Sequence, residues 1–508
     1  MGILVQSLRT ITDQSRALLL KVRYFLIAFT CIGLGVFFSI VIDSPDSGEF
    51  VVSIVVVLAL LFIIVNKPLN GFLLLLFFTV FIETWVKIPM GAGIPDLSFS
   101  RFAIVFLAIF MLAQAAIGKF RFARPGLVEV FLVLTMLGIA LAAPMSIAPA
   151  PIGVAQWSIT MFFTPMVAYF IAKNLVQDRK ELHQVLLVIA LIGFVSGVYA
   201  AYEHATGHVL FLEKGKELHR FYRGSGIRLI IGIMGGSGEM GRALAMTIPV
   251  TFYLFLEHKK MDLGKAFLGV MLAAQTYGIL IAMSRTPWYA LMIAFFIMQF
   301  FYPQFRKLFI VLVFVAGIVI WATWDRVEQS TVASRVNDKV STLEGREVRW
   351  EAAQQMWLRS PVRGWGFGHY EAKSGQFRTD GSWANIDAVE SDFWHILVGS
   401  GLAGFLPYIL FIGAILFYSA RLFFRARAPD WSGFIKPETL TVVWALLICL
   451  LLTSYTAKQV QPVIRLMAFS ACGAIVGTHE HMLRKKKTAE SQSSPYQIDP
   501  HASEIHAR

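Results

Sequence analysis

The chain has 508 residues, of which 56% are hydrophobic and only 15% charged, and its mean hydropathy is +0.64. A soluble domain is nearer ~45–50% apolar and ~25% charged, so a soluble multidomain enzyme, a disordered chain and a coiled coil are excluded. The net charge of +13 would suggest nucleic acid in a soluble protein. Here it falls largely in short connections between apolar runs, where the positive-inside bias explains it, and no nucleic-acid partner is expected.

One membrane helix needs ~20 apolar residues, so roughly 284 apolar residues could fill about fourteen spans. The runs are continuous, as at 72–82, which argues against the alternating strands of a membrane β-barrel. The expected fold class is an all-α polytopic integral membrane protein of about fourteen transmembrane helices. Residues 1–23 mix Leu, Ile and Val with Arg9, Arg16 and Lys21, and read as an interfacial amphipathic helix with no cleavable leader. Spans are expected near 24–42, 49–66, 70–86, 102–118, 126–143, 157–173, 184–203, 230–257, 266–284, 287–302 and 308–324, then 391–419, 439–456 and 462–478. The eighth is interrupted by Gly-Gly-Ser-Gly at 235–238 and reads as a broken or re-entrant helix. Spans 1–11 thus occupy 24–324 and spans 12–14 occupy 391–478. A polar tail, 479–508, reads as a disordered end.

Basic residues set the orientation. Lys119, Arg121 and Arg124, then Lys173, Arg179 and Lys180, then Lys259, Lys260 and Lys265, then Arg306 and Lys307, then Arg421, Arg425 and Arg427 all fall on one side, as does Arg484 to Lys487. That side is assigned to the cytoplasm, with both termini on it, in a bacterial inner membrane. Cys31, Cys449 and Cys472 lie inside apolar runs and read as small apolar filler. No internal repeat is evident, which weakens a transporter built on inverted repeats.

Two connections on the opposite, periplasmic side break the charge rule. The first, 204–229, carries Lys214, Lys216, Arg220, Arg223 and Arg228. The second, 325–390, lies between spans 11 and 12 and holds nine basic and ten acidic residues. A solvated loop is the bland reading, because long loops cross regardless of charge. Arg285 is harder to dismiss, since it sits where spans 9 and 10 meet with almost no loop between them. Glu239 and Arg242 are three residues apart within the broken span, and read as a structural ion pair or a substrate contact. Arg346, Arg349 and Trp350 fall within about one helical turn. Gly364, Gly366 and Gly368 follow no strand, so they read as a plain turn or as one that offers amides to a ligand. Guanidinium groups suit phosphate oxygens at a membrane edge.

At these residues the sequence resembles the O-antigen ligase/polymerase family, over about 220–420. The resemblance rests on Arg228 and Gly232 ahead of Pro249, on Ser284-Arg285, on Arg346 and Trp350 followed by Pro361, Gly364 and Gly366, and on Glu390 ahead of Gly401 and Gly404. It implies a multi-span glycosyltransferase of the GT-C type that uses undecaprenyl-diphosphate-linked glycans at the periplasmic face. Two departures stand out. The family's Pro-Asn pair is absent, with Gly-Gly-Ser-Gly-Glu in its place, and the frequent His-Asn of the last motif reads Glu390-Ser391-Asp392. The second departure favours a polymerase of an exopolysaccharide or capsule over a lipid A-core ligase.

The resemblance implies Arg228, Arg285 and Arg346 on the diphosphate, with Arg223 and Arg349 beside them. Glu390 is the candidate base, with a salt bridge to a loop arginine as its alternative. Asp392 and Trp350 are candidate substrate contacts. His395 is a weaker candidate, since a lone histidine in a span is more often a packed residue. Five of the twelve tryptophans, Trp350, Trp357, Trp365, Trp383 and Trp394, lie in or beside the second loop, where they suit either an interfacial belt or sugar stacking. No cofactor and no metal is expected. The expected partners are the lipid-linked donor, a glycan or lipid-linked acceptor, membrane lipids and other polysaccharide-assembly proteins. A lipid-linked oligosaccharide flippase or other polysaccharide transporter is the competing class, and would spread its charges through mid-span.

Overall fold

A computed structural model describes residues 59–82, 87–88, 97–146, 158–209, 229–307, 309–310, 314, 340–380, 384–386, 389–427, 435–457 and 462–493. The N-terminal helix, the first span, most of the eleventh, Arg223 and Arg228 lie outside them. Among the described residues, apart from a two-strand ribbon, β1 (Lys87–Ile88) and β2 (Leu97–Ser98), regular structure is helical. The helices are α1 (Pro68–Ile82), α2 (Phe99–Ala116), α3 (Leu127–Ala142), α4 (Thr164–Leu175), α5 (Arg179–Thr206), α6 (Ser237–Glu257) and α7 (Leu263–Ile281). They continue with α8 (Arg285–Phe301), α9 (Val340–Arg359), α10 (His369–Lys373), α11 (Asp392–Ala426), α12 (Pro437–Thr456) and α13 (Val463–Ser493).

Six of the described helical segments are long and apolar enough to cross a membrane: α2, Leu127–Met145, α5, α7, α11 and α12. Pro68–Phe81 and Ile159–Leu175 are apolar but shorter. Exposed apolar side chains such as Val105, Ile109 and Leu112 on α2, and Val130, Leu137 and Leu141 on α3, form faces suited to lipid. Inside, small residues set the close approaches. A side chain on Gly473 or Gly477 of α13 would strike the backbone of Tyr169 or Lys173 on α4. Gly138 of α3 meets Ala403 and Gly404 of α11 in the same way.

Segments that charge counting assigns to one face touch one another. Phe367 N donates to Ser146 Oγ at 2.9 Å, and His369 Nε2 donates to Met145 O at 2.9 Å. On the other face Arg484 donates to Phe122 O at 3.3 Å, and Arg179 pairs with Glu257 at 2.8 Å. The interrupted eighth segment also appears. Residues 232–235 form a turn, and Glu203 at the end of α5 holds the chain entering it by accepting from Ile231 N at 2.9 Å and Gly232 N at 2.8 Å. The helix starts only at Ser237.

One expectation needs correction. The chain beyond 479 does not become disordered there, because α13 continues to Ser493. Burial of His479 and His481, and the ion pair of Glu480 with Lys173 at 3.0 Å, anchor that turn against α4. Polarity alone concealed this, since the polar residues meet buried partners.

The second long loop is folded rather than merely solvated. Ala352, Ala353 and Met356 of α9 pack with Tyr370, Phe377, Ile386 and Val389 in a small core of their own, flanked by Trp350, Trp357, Trp365 and Trp394. The glycine run joins this module to α11. Gly364, Gly366 and Gly368 have φ of +73°, +89° and +86°, and Gly401, at +59°, breaks α11. Trp365 N and Gly366 N donate to Val398 O and Gly399 O, each at 2.8 Å, while Leu402 N donates to Pro361 O at 2.8 Å. The turn's amides therefore satisfy the carbonyls freed by the helix break. A plain structural turn is the reading that holds.

Candidate functional site

The periodicity of α9 sorts its polar residues onto separate faces. Ala352, Ala353 and Met356 point into the module core. Arg346 and Arg349, three apart, turn toward the chain just ahead of α11. There they meet Glu390: Arg346 Nε lies 3.4 Å from one carboxylate oxygen, and Arg349 pairs with the other. Glu390 has φ of +49°, uncommon for a residue with a side chain. Such backbone is held by its surroundings, and it recurs at functional sites. The three side chains are 26%, 34% and 39% exposed, so the cluster is open to an incoming anion.

Asp392, two residues on, has a different partner. It is fully buried and pairs with Arg465 of α13, which also donates to Met161 O at 2.9 Å and lies over the Phe162 ring at 4.4 Å. Arg465 was missed in the sequence reading, although an arginine inside an otherwise apolar span is itself a signal. His395 is buried against Phe367, with Nδ1 3.9 Å from Glu371. It is packed into the junction between α10 and α11.

Glu239 and Arg242 form the expected ion pair at 2.8 Å, both nearly buried, on the first turns of α6. The acidic partner sits at the positive end of that helix, where it is favoured. Arg285 opens α8 behind the N-cap Ser284, and the preceding Met283 has φ of +52°. Pro287, two residues on, packs near Gly241 of α6, so Arg285 belongs to the same end of the bundle as the Glu239–Arg242 pair.

Beside the Glu390 cluster lies a cleft of about 420 Å³, within the ~300–1,000 Å³ typical of ligand sites. The stripe Glu347, Trp350, Glu351 and Gln354 of α9 forms one wall. Ser391, Phe393, Trp394, Leu397 and Phe405 of α11 with its leading residue, together with Tyr455 of α12, form the other. Trp350 and Tyr455 are 5.2 Å apart, centroid to centroid. Trp350 thus forms part of an aromatic cleft.

Residues 268–409 match the model of a family described as O-antigen ligase. No curated protein matches the chain. The matched stretch runs from α7 into α11 and includes Arg285, Arg346, Arg349 and Glu390. It supports assignment to the O-antigen ligase/polymerase family, which suggests a glycosyltransferase-like enzyme, a lipid-linked glycan substrate and a bacterial membrane setting.

Proposed function

We propose that this protein is a polymerase-type glycosyltransferase that joins undecaprenyl-diphosphate-linked oligosaccharide units at the periplasmic face of the inner membrane. The observation that carries this reading is the shared carboxylate of Glu390, half-exposed and gripped by Arg346 and Arg349, within the family-matched stretch. The cluster has two positive charges for one negative, so it retains attraction for a diphosphate. In the proposed cycle the lipid diphosphate draws one or both guanidinium groups away from Glu390. The arginines then bind phosphate oxygens in a forked geometry. Glu390, relieved of its partners, accepts a proton.

The acceptor hydroxyl oxygen attacks the anomeric carbon. The bond from that carbon to the diphosphate oxygen breaks, and its electron pair leaves with undecaprenyl diphosphate. The hydroxyl proton passes to Glu390. Arg346 and Arg349 meet the charge that develops on the leaving group, with Arg285, Arg223 and Arg228 as further diphosphate contacts, so that no metal is required. Asp392 acts through its pair with Arg465, by fixing the start of α11 beneath Glu390. About fourteen spans, with the α9–α10 module on the periplasmic side and both termini in the cytoplasm, complete this reading.

Reconstitution in lipid vesicles with an undecaprenyl-diphosphate-linked repeat unit tests it. A ladder of longer lipid-linked glycans is expected, unchanged by chelator and lost in Arg285→Ala with the protein still folded in the membrane. Full activity of that variant would remove Arg285 from the reaction. Chelator inhibition would contradict metal independence. Movement of intact lipid-linked units across the bilayer, without elongation, would favour a flippase.

A further inference from the structure

The cleft beside Glu390 has features that diphosphate binding does not use. Glu347, Trp350, Glu351 and Gln354 recur at i, i+3, i+4 and i+7, so one face of α9 presents two carboxylates, an indole and an amide to it. Thr379 Oγ1 donates to Glu351 at 2.5 Å, which leaves that carboxylate further acceptor capacity. No lysine or arginine is among the described residues that line the cleft. Trp394, Tyr455, Phe393 and Phe405 add aromatic surface to the lining.

Two buried polar atoms there lack partners among the described residues: Ser391 Oγ and Trp350 Nε1. Ser391 is fully buried and stands at the N-cap of α11, yet its hydroxyl makes no capping bond. Native proteins rarely leave such groups unsatisfied. Together the cleft offers flat aromatic faces and, from Glu347, Glu351 and Gln354, several hydrogen-bonding groups. That combination suits a pyranose ring, with its apolar C–H face and its rim of hydroxyls. Ser391 directly follows Glu390, so a ring held here lies next to the proposed base.

We infer that this cleft is the acceptor-sugar subsite, and that its two carboxylates make it take a neutral or amino-bearing pyranose in preference to a uronic acid. This rests on the glycosyl-transfer reading for the word acceptor, while the binding chemistry stands on the cleft alone. A uronic carboxylate would face Glu347 and Glu351, while the nearest arginines, Arg346 and Arg349, lie outside the lining and are engaged by Glu390. An ammonium would gain from both carboxylates and from the aromatic faces.

The test uses purified full-length protein in nanodiscs, without donor lipid. Methyl glycosides of glucosamine, glucose and glucuronic acid are titrated by saturation-transfer NMR and tryptophan fluorescence. The expected order is glucosamine, then glucose, with the glucuronoside at least about tenfold weaker. Glu347→Gln combined with Glu351→Gln should narrow that gap. Trp350→Ala should lose about tenfold in affinity, Trp350→Phe should recover part of it, and Tyr455→Ala, at a half-exposed rim position, should also weaken binding. Equal or tighter glucuronoside binding by the native protein would overturn the charge preference. Glycoside binding that is absent, indifferent to all four substitutions, or displaced by undecaprenyl phosphate would overturn the subsite. None of these binding outcomes depends on turnover, and polymer formation is read separately to tell the two readings apart. Lost sugar binding with intact dependence of polymer formation on Arg346 would sink the subsite and spare the enzyme. Retained sugar binding with no polymer formation in any vesicle would do the reverse.

Discussion

Glu390 and Asp392 are two residues apart, and both meet arginine, yet they live in different physical regimes. Glu390 is 39% exposed and shared between Arg346 and Arg349, while Asp392 and Arg465 are both 0% exposed. A half-exposed pair is worth little by itself and can change partners. A fully buried pair cannot, because either charge left alone would lack solvent. The contrast teaches where to look for chemistry in a chain full of arginines: at the cluster that can reorganise, with the locked pair serving as its foundation.

The largest expected effect breaks the foundation. Arg465→Met should destabilise the protein by roughly 3–5 kcal/mol, read as a loss of thermal stability in detergent. Pairing it with Asp392→Leu should restore much of that loss, because no lone charge remains. If Arg465→Met unfolds at the native temperature, the two regimes are not distinct. Next comes the open cluster. Arg346→Ala combined with Arg349→Ala should lower polymer formation by about 10²–10³-fold, with thermal stability within about 0.5 kcal/mol of native if each behaves as a surface change. Glu390→Gln should follow, slowing turnover by about 10²-fold with donor retention kept. Loss of folding instead would make Glu390 structural.

The smallest effect sharpens the comparison from outside the cluster. Burial pushes the His369 imidazole below its usual 6.5, opposed by its bond to Met145 O and assisted by Lys373. Nε2 donates to that carbonyl, and Nδ1 is buried with no partner among the described residues. Protonation would add an N–H with no acceptor there. The unfolded segment therefore binds the proton more readily, so this contribution is present above about pH 6.5 and is lost as pH falls below it. Hydrogen-exchange protection factors across 340–380, corrected for the intrinsic pH dependence of exchange, should fall modestly between pH 7.5 and pH 5.5. Replacement of His369 by Gln should flatten that dependence, and an unchanged slope would assign it to other groups.

The helical membrane character was legible because it is written in composition. The grouping of Arg346, Arg349 and Trp350 was legible because helical spacing is local. Three features were not. Asp392 and Arg465 are 73 residues apart, and no local pattern announces such a pair. The glycine run read as a plain turn or as one that offers amides to a ligand, and only the break at Gly401 in α11 explains where its amides go. The stretch after 479 looked like a polar end, because its buried partner, Lys173, lies on another helix. In each case tertiary pairing decided what the residue types left open.

In the proposed cycle Arg346 and Arg349 exchange Glu390 for a lipid diphosphate. The most direct measurement is the affinity of undecaprenyl diphosphate for the protein in nanodiscs, compared between the native chain and the Arg346→Ala, Arg349→Ala double variant. A loss of about a hundredfold or more, with Glu390→Gln binding at least as tightly as native, is the predicted result. Equal affinity of the native and double-variant proteins would contradict it.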